Sequence, residues 1–257
     1  MTSNIIKKFS KKLFEGNFII ENIKGDASKR KYYRASSGGK SLIIMDSSRE
    51  RRNFINFLKF SDIFHCNNIK IPKIIKKDLN NNILALEDFG DNLIIKRSSS
   101  KNFFEIYEKS IINIIKIQKV RNKKISFYSD EKYFKESSLF IEWVLEIFFS
   151  FNITNKDKNK IKKEIIKLID NLILKRNFLV HRDYHSKNIF YKNKGIIIID
   201  YQDAVYGSPL YDLVSLVNDC YKDINDNNRK KLLNFFRDNF NNFSKNNLSK
   251  DELVHNF

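Results

Sequence analysis

Residues 189 to 200 limit the possible folds of this chain more than any other stretch. "NIFY" and "GIIIID" are apolar runs of strand length separated only by "KNKG", which leaves room for a tight turn, so the two read as an antiparallel β-hairpin. A hairpin holds its two outer flanks side by side. Here they are "HRDYHSKN" (181 to 188) and "DYQDA" (200 to 204), and closing the hairpin brings Asp183, Asn188 and Asp200 together, although Asp200 lies twelve residues beyond Asn188. Two carboxylates and an amide oxygen, without any cysteine, are hard ligands suited to Mg²⁺ held jointly with substrate phosphates. An aspartate that heads the loop without binding metal can take the proton of a substrate hydroxyl. The chemistry implied is phosphoryl transfer, in which positioning and charge neutralisation do most of the work.

The rest of the chain frames that stretch. Up to residue 90 the pattern is of short strands: "NFIIENI", "KYYRASS", a Gly38-Gly39 turn and "KSLIIMD" suggest an antiparallel meander. "SSRERRNFINFLKFSDIF" then reads as a helix capped by its serines, with Phe54, Phe57, Leu58 and Ile55 at helical spacing. "ILALEDF" follows an Asn80-Asn81-Asn82 turn as a buried strand. Beyond residue 91 the period becomes helical in "FFEIYEKSIINIIKIQKV", "YFKESSLFIEWVLEIFFSF" and "KNKIKKEIIKLIDNLILKR". The expected fold is α+β, with a sheet-rich lobe over residues 1–90 and a helical catalytic lobe over 91–257.

Charge and cysteine content narrow the class. Lys and Arg exceed Asp and Glu by 18, a balance that can mark a nucleic-acid partner. The lysines, however, are scattered among Ile, Asn and Phe along the whole chain, as A/T-rich codons would place them, so a solvated surface is the expectation and nucleic acid is not. Cys66 and Cys220 form neither a disulfide framework nor a metal spacing. No stretch reaches the roughly 18 apolar residues of a membrane span, and the opening residues lack a secretory apolar core. A soluble cytoplasmic protein is expected.

His181-Arg182-Asp183-Tyr184-His185-Ser186-Lys187-Asn188 with Ile199-Asp200-Tyr201-Gln202-Asp203 resembles the catalytic and metal-binding loops of the small-molecule branch of the protein-kinase-like fold, the aminoglycoside phosphotransferase and choline kinase type. Tyr-Gln after Asp200, where protein kinases carry Phe-Gly, and the absence of Ala-Pro-Glu argue against a protein substrate. "GDASKRKYYR" (25 to 34), "LEDFGD" (86 to 91) and above all "IDYQDAVYGSPLYDLVSLVNDCY" (199 to 221) are similar to blocks of the bacterial anomeric N-acetylmuramate/N-acetylglucosamine kinases of cell-wall recycling. That resemblance implies ATP and Mg²⁺ as cofactors and an amino sugar as the small-molecule substrate, phosphorylated at its anomeric hydroxyl. A kinase for another hydroxylated metabolite (choline, homoserine, an aminoglycoside) and a degenerate kinase fold that binds nucleic acid are the alternatives.

The resemblance also implies roles. Asp183 is the base, and Asn188 and Asp200 are metal ligands. Gly25, Asp26, Ala27 and Ser28 cover the ATP phosphates with backbone amides. The strand position that usually carries a lysine is Met45, so Lys29, Arg30 or Arg34 takes its place. Glu87 to Phe89 form the adenine hinge through backbone groups. His181 is structural, while His185 either orients Asp183 or Asp200 or touches substrate. Asp203 is a substrate or metal contact, binding or orienting the acceptor. Asp212 reads as a helix-start aspartate and Trp143 as a core residue. The resemblance implies further helices after "LSKDELVHNF", so the expectation is either a chain truncated there or a sugar pocket that is open or completed by a partner.

Overall fold

The computed structural model describes residues 4–23, 29–172, 175–244 and 248–257. A short helix, α1 (Asn4–Ser10), precedes five antiparallel strands, β1 (Ile19–Ile23), β2 (Lys31–Ser37), β3 (Lys40–Asp46), β4 (Ile74–Asp78) and β5 (Ile83–Glu87), in the order β1-β2-β3-β5-β4. The meander is as the sequence suggests, with Gly38 and Gly39 at φ +54° and +77° where a side chain would be strained. Side chains alternate across the sheet with period two. Tyr33, Ala35, Ile44, Ile83 and Ala85 face Ile6 and Phe9 of α1, whereas Met45, Leu84 and Leu86 face the other way.

That second face is covered by α2 (Arg51–Cys66), inserted between β3 and β4. Phe54, Phe57, Phe60, Ile63 and Phe64 are buried along it, but Ile55 is 54% exposed. The serines do not cap this helix. Ser47 donates its N–H to Asn82 O and Ser48 donates to Asp46 Oδ1 (3.0 Å each), and Glu50 becomes the N-cap without a side-chain bond. Strand pairing and an aspartate turn have claimed the residues that could have capped.

The remaining chain is mostly helical: α3 (Ile94–Arg97), α4 (Phe103–Gln118), α5 (Asp130–Leu139) running into a π-helical stretch Phe140–Phe148, α6 (Asn155–Asp170), α7 (Tyr211–Val217), α8 (Asp226–Ser244) and α9 (Lys250–Asn256). α4 is the central pillar, burying Ile106, Tyr107, Ile111, Ile114 and Ile117. Two small antiparallel ladders hold the loops of interest, β6 (Phe178–Val180) with β9 (Val205–Gly207) and β7 (Ile189–Lys192) with β8 (Gly195–Ile198). The second is the expected hairpin, turned by Asn193 and Lys194 at φ +50° and +56°. Among the described residues, no helix is long and apolar enough to cross a membrane.

Trp143 departs from its expected place. It is 59% exposed, and within Phe140–Phe148 only Ile141 is buried. Periodicity reports that a helix has an apolar face, not that anything covers it, and the wider π turn rotates that face away from the register an α-helix would give.

Candidate active site

The loop from His181 to Asn188 leaves β6 and enters β7, and buried partners hold it at several points. The carboxylate of Asp212, wholly buried on α7, accepts the N–H groups of His181 (2.8 Å) and Arg182 (2.9 Å). This pair of bonds holds Arg182 at φ +82°, a conformation that costs a long side chain about 1–3 kcal/mol and persists only where its surroundings enforce it. Burial pushes the Asp212 carboxyl up to about 7, with the two N–H bonds pulling in the opposite direction. Ser186 N–H donates to Asp219 (2.7 Å), and Tyr184 reaches into the helical core to donate to Ser110 O (2.9 Å).

His181 is structural, as the sequence reading has it. Its ring is buried, Nδ1 accepts the Asp183 N–H (3.2 Å) and Nε2 bonds Ile199 O (2.9 Å). Those partners specify the neutral Nε2–H tautomer, and burial holds the imidazole well below its ordinary pKa. The ring thus ties the loop before the hairpin to the one after it.

The carboxylate of Asp183 receives no hydrogen bond among the described residues. Burial raises its pKa, and the negative charge of Asp200 raises it further. Asn188 is locked by its amide N–H₂, which donates to Asp183 O (3.0 Å) and toward His185 Nε2 (3.2 Å), so Oδ1 is the end left to bind a ligand. Its carbonyl accepts Ile199 N–H at 3.0 Å, which sets Asp200 beside it. Asp200 sits at φ +63°, a left-handed conformation that aspartate tolerates. The His185 side chain bonds Asn188, and its ring meets Tyr221 edge-on at 5.1 Å. Gln202 bridges Asp200 (3.2 Å) and Asp203 (2.9 Å).

Among the described residues, no group of three or more His, Cys, Asp or Glu side chains converges. One amide oxygen and one carboxylate, with the remaining positions left to a ligand, is the donor set expected of Mg²⁺ bound through nucleotide phosphates, so the residues fit that ion.

On the sheet side the cations divide. Arg30 donates to Asp200 Oδ1 at 2.8 Å and lies 3.8 Å from Glu50. It lies just before β2 and reaches the loop after β8, while Met45 on β3 is fully buried and supplies no charge. Arg34 forms a bidentate pair with Asp88 (2.7 and 3.1 Å) at the end of β5. Burial alone would raise the Asp88 carboxyl, but Arg34 and the Gly90 N–H hold it below its usual value. Arg34 thus braces the segment after β5. In the stretch expected to form the adenine hinge, Glu87 N–H is bonded to Lys73 O (2.9 Å) and Phe89 O accepts from Asn92 (2.5 Å), while Phe89 N–H carries no bond among the described residues. Lys29 is exposed. Gly25, Asp26, Ala27 and Ser28 lie outside the described residues.

A profile of the phosphotransferase enzyme family (APH) matches residues 19–241, most of the chain and all of this site. The chain belongs to that family. A relative from Pseudomonas putida called N-acetylmuramate/N-acetylglucosamine kinase is 28% identical over 197 residues, which are 76% of this chain and 58% of that protein. The aligned chain thus spans less than two thirds of that relative's length. The aminoglycoside phosphotransferase APH(2'')-IIa in complex with gentamicin superposes with a TM-score of 0.69 at 14% identity, covering 100% of this chain and 85% of that one. The ADP-bound APH(2'')-Ib gives 0.66 at 13%, covering 99% and 85%. The architecture is therefore the two-lobed protein-kinase-like fold, with an antiparallel-sheet N-lobe and a mainly helical C-lobe.

Within this phosphotransferase fold, sequence reasoning undervalued Asp212. It does start a helix, but its carboxylate is spent on the loop backbone. The signal was in "YDLVSLV": an aspartate followed by a mainly apolar helix is placed in the core, where it needs donors. Asp219, Glu136 and the Arg30–Asp200 pair carried no local signature.

Proposed function

We propose that this protein is an ATP- and Mg²⁺-dependent small-molecule kinase that phosphorylates the anomeric hydroxyl of an N-acetylated amino sugar, N-acetylmuramate or N-acetylglucosamine. The observation that carries this reading is the placement of Asp183. It is a partly buried carboxylate without an internal hydrogen bond, beside Asn188 and Asp200, whose loops are tied together by the Ile199 N–H to Asn188 O bond. A raised pKa in such a carboxyl strengthens it as a proton acceptor from a hydroxyl. Asn188 Oδ1 and Asp200 would hold Mg²⁺, which supplies charge neutralisation for the transferring phosphoryl group.

In this reading the division near residue 90 separates a nucleotide lobe from a catalytic lobe. The Phe89 N–H is the hinge donor for adenine. Residues Gly25 to Ser28 cover the phosphates, and Arg30 moves from Asp200 to the phosphates when Mg·ATP enters. Asp203, held by Gln202, faces the acceptor. The sugar assignment is supported by the 28% identity to the Pseudomonas putida kinase and by the block from Asp200 to Tyr221. The test is a screen of amino sugars and other alcohols with Mg·ATP, scored for an acid-labile sugar 1-phosphate. Turnover confined to choline, homoserine or aminoglycosides would replace the sugar assignment. No turnover on any acceptor, with Mg·ATP not bound, would end the kinase reading.

A further inference from the structure

Next to Asp183 in the chain, Arg182 joins a cluster that the phosphoryl-transfer chemistry leaves unexplained. Arg182, immediately before Asp183, places its guanidinium 5.0 Å from the centre of the Tyr128 ring, and Lys132 on the first turn of α5 places its ammonium 5.3 Å from the centre of the same ring. Two cations sharing one aromatic ring repel each other, so the arrangement calls for anions. One is present. Glu136 takes Arg182 at 2.7 and 2.9 Å and also accepts the Tyr128 hydroxyl, so both its oxygens are engaged. Lys132 has no ion pair among the described residues.

The other lysines of this chain are mostly solvated, but Lys132 is partly buried. Burial first, then the charge of Arg182, works against its protonated form, and Arg52 adds to this; Glu136 and Asp203 act the other way without reversing it. The shared Tyr128 ring places the ammonium near Arg182, the residue before Asp183. A partly desolvated cation, crowded by another cation and lacking a counter-ion, recovers its lost stabilisation when a ligand brings a negative charge.

We propose that Lys132 is the specificity-determining residue for an anionic acceptor, binding a carboxylate carried by the sugar. This rests on the amino-sugar kinase reading and refines it. Of the two sugars named, N-acetylmuramate bears a lactyl carboxylate and N-acetylglucosamine does not, so Lys132 makes the first the better substrate. Arg182, already neutralised by Glu136, keeps the loop in place and leaves the ligand's charge to Lys132.

The experiment compares wild type, Lys132→Gln and Lys132→Arg, as full chains with saturating Mg·ATP, on both sugars. Lys132→Gln is expected to lower kcat/KM for N-acetylmuramate about ten-fold or more, the worth of one charge-assisted bond. The loss should lie in KM, with less than about two-fold change for N-acetylglucosamine or in the KM for ATP. Lys132→Arg should restore most of the preference, and in the wild type added salt should shrink it. An unchanged ratio between the sugars in an active variant, an equal loss on both, or a raised KM for ATP would each overturn the role of Lys132 and leave the kinase reading standing. A wild type that binds Mg·ATP but phosphorylates neither sugar would overturn the sugar reading and this proposal together.

Discussion

Asp183 and Asp200 are neighbours in one charged loop system, yet replacing them should break different steps. Asp183→Asn keeps the shape and removes the base, so Mg·ATP affinity should persist while single-turnover rate falls roughly 10²-fold or more. Asp200→Ala removes the proposed metal ligand, so Mg²⁺-dependent nucleotide binding should go with turnover; calorimetric titration with Mg·ATP separates the two. The two arginines differ in the same way. Arg30→Ala should raise the KM for ATP, whereas Arg34→Ala should leave that KM near normal and destabilise the protein by about 1–3 kcal/mol, because it strips the partner from Asp88, whose side chain is 3% exposed. Urea unfolding beside ATP kinetics checks this pair. Asp212 makes a pH prediction. Its carboxyl is pushed from an ordinary 3.8 up to about 7, so between those values the folded protein holds a proton that the unfolded chain has released. This group's contribution to stability therefore falls as pH rises through that window and levels off above about 7. Asp212→Asn, which cannot titrate, should close its stability gap to wild type as pH rises from 5 to 7.5. A gap that widens would contradict the sign.

At the scale of elements, the contact that matters most joins α2 to the metal loop. Tyr201, next to Asp200, stacks on Phe57 (4.9 Å), meets Phe64 edge-on (5.4 Å) and shares a 2.8 Å hydroxyl bond with Ser61, all three on α2. The helix that covers the sheet thereby also fixes the residue after Asp200. Tyr201→Phe should cost about 1 kcal/mol through the lost bond, since Ser61 still bonds Phe57 O and the ring packing survives. Tyr201→Ala, by opening a cavity, should cost about 3–5 kcal/mol and weaken Mg·ATP binding as well. Thermal melts with and without Mg·ATP distinguish the two. The hairpin of β7 and β8 was legible from its spacing because a two-residue turn is a local matter. The path of α5 was not, because the π-helical stretch after it depends on what packs against each turn, and little packs against Trp143.

For the whole molecule, the excess of 18 positive charges is spread along the chain, with lysines exposed on α6 as on the other helices. Diffuse charge binds polyanions weakly, without a track for a backbone, so any DNA binding measured at low salt should be lost by roughly 150 mM NaCl while kinase turnover continues. Retention at that salt, alongside absent turnover, would favour a nucleic-acid role. The sequence by itself determined the features that depend on near neighbours. Alternation and Gly38-Gly39 made the meander, "KNKG" made the hairpin, and the hairpin made the approach of Asp183, Asn188 and Asp200, all from backbone geometry over a few residues. Tertiary structure alone decided which charges meet. Arg30 and Asp200 are 170 residues apart, Asp212 lies 31 residues beyond the His181 N–H it accepts, and Arg34 pairs with Asp88, 54 residues on. Those pairings follow from long-range burial, which leaves a buried carboxylate or guanidinium whatever partner the packed chain brings within reach, and no local pattern encodes that distance.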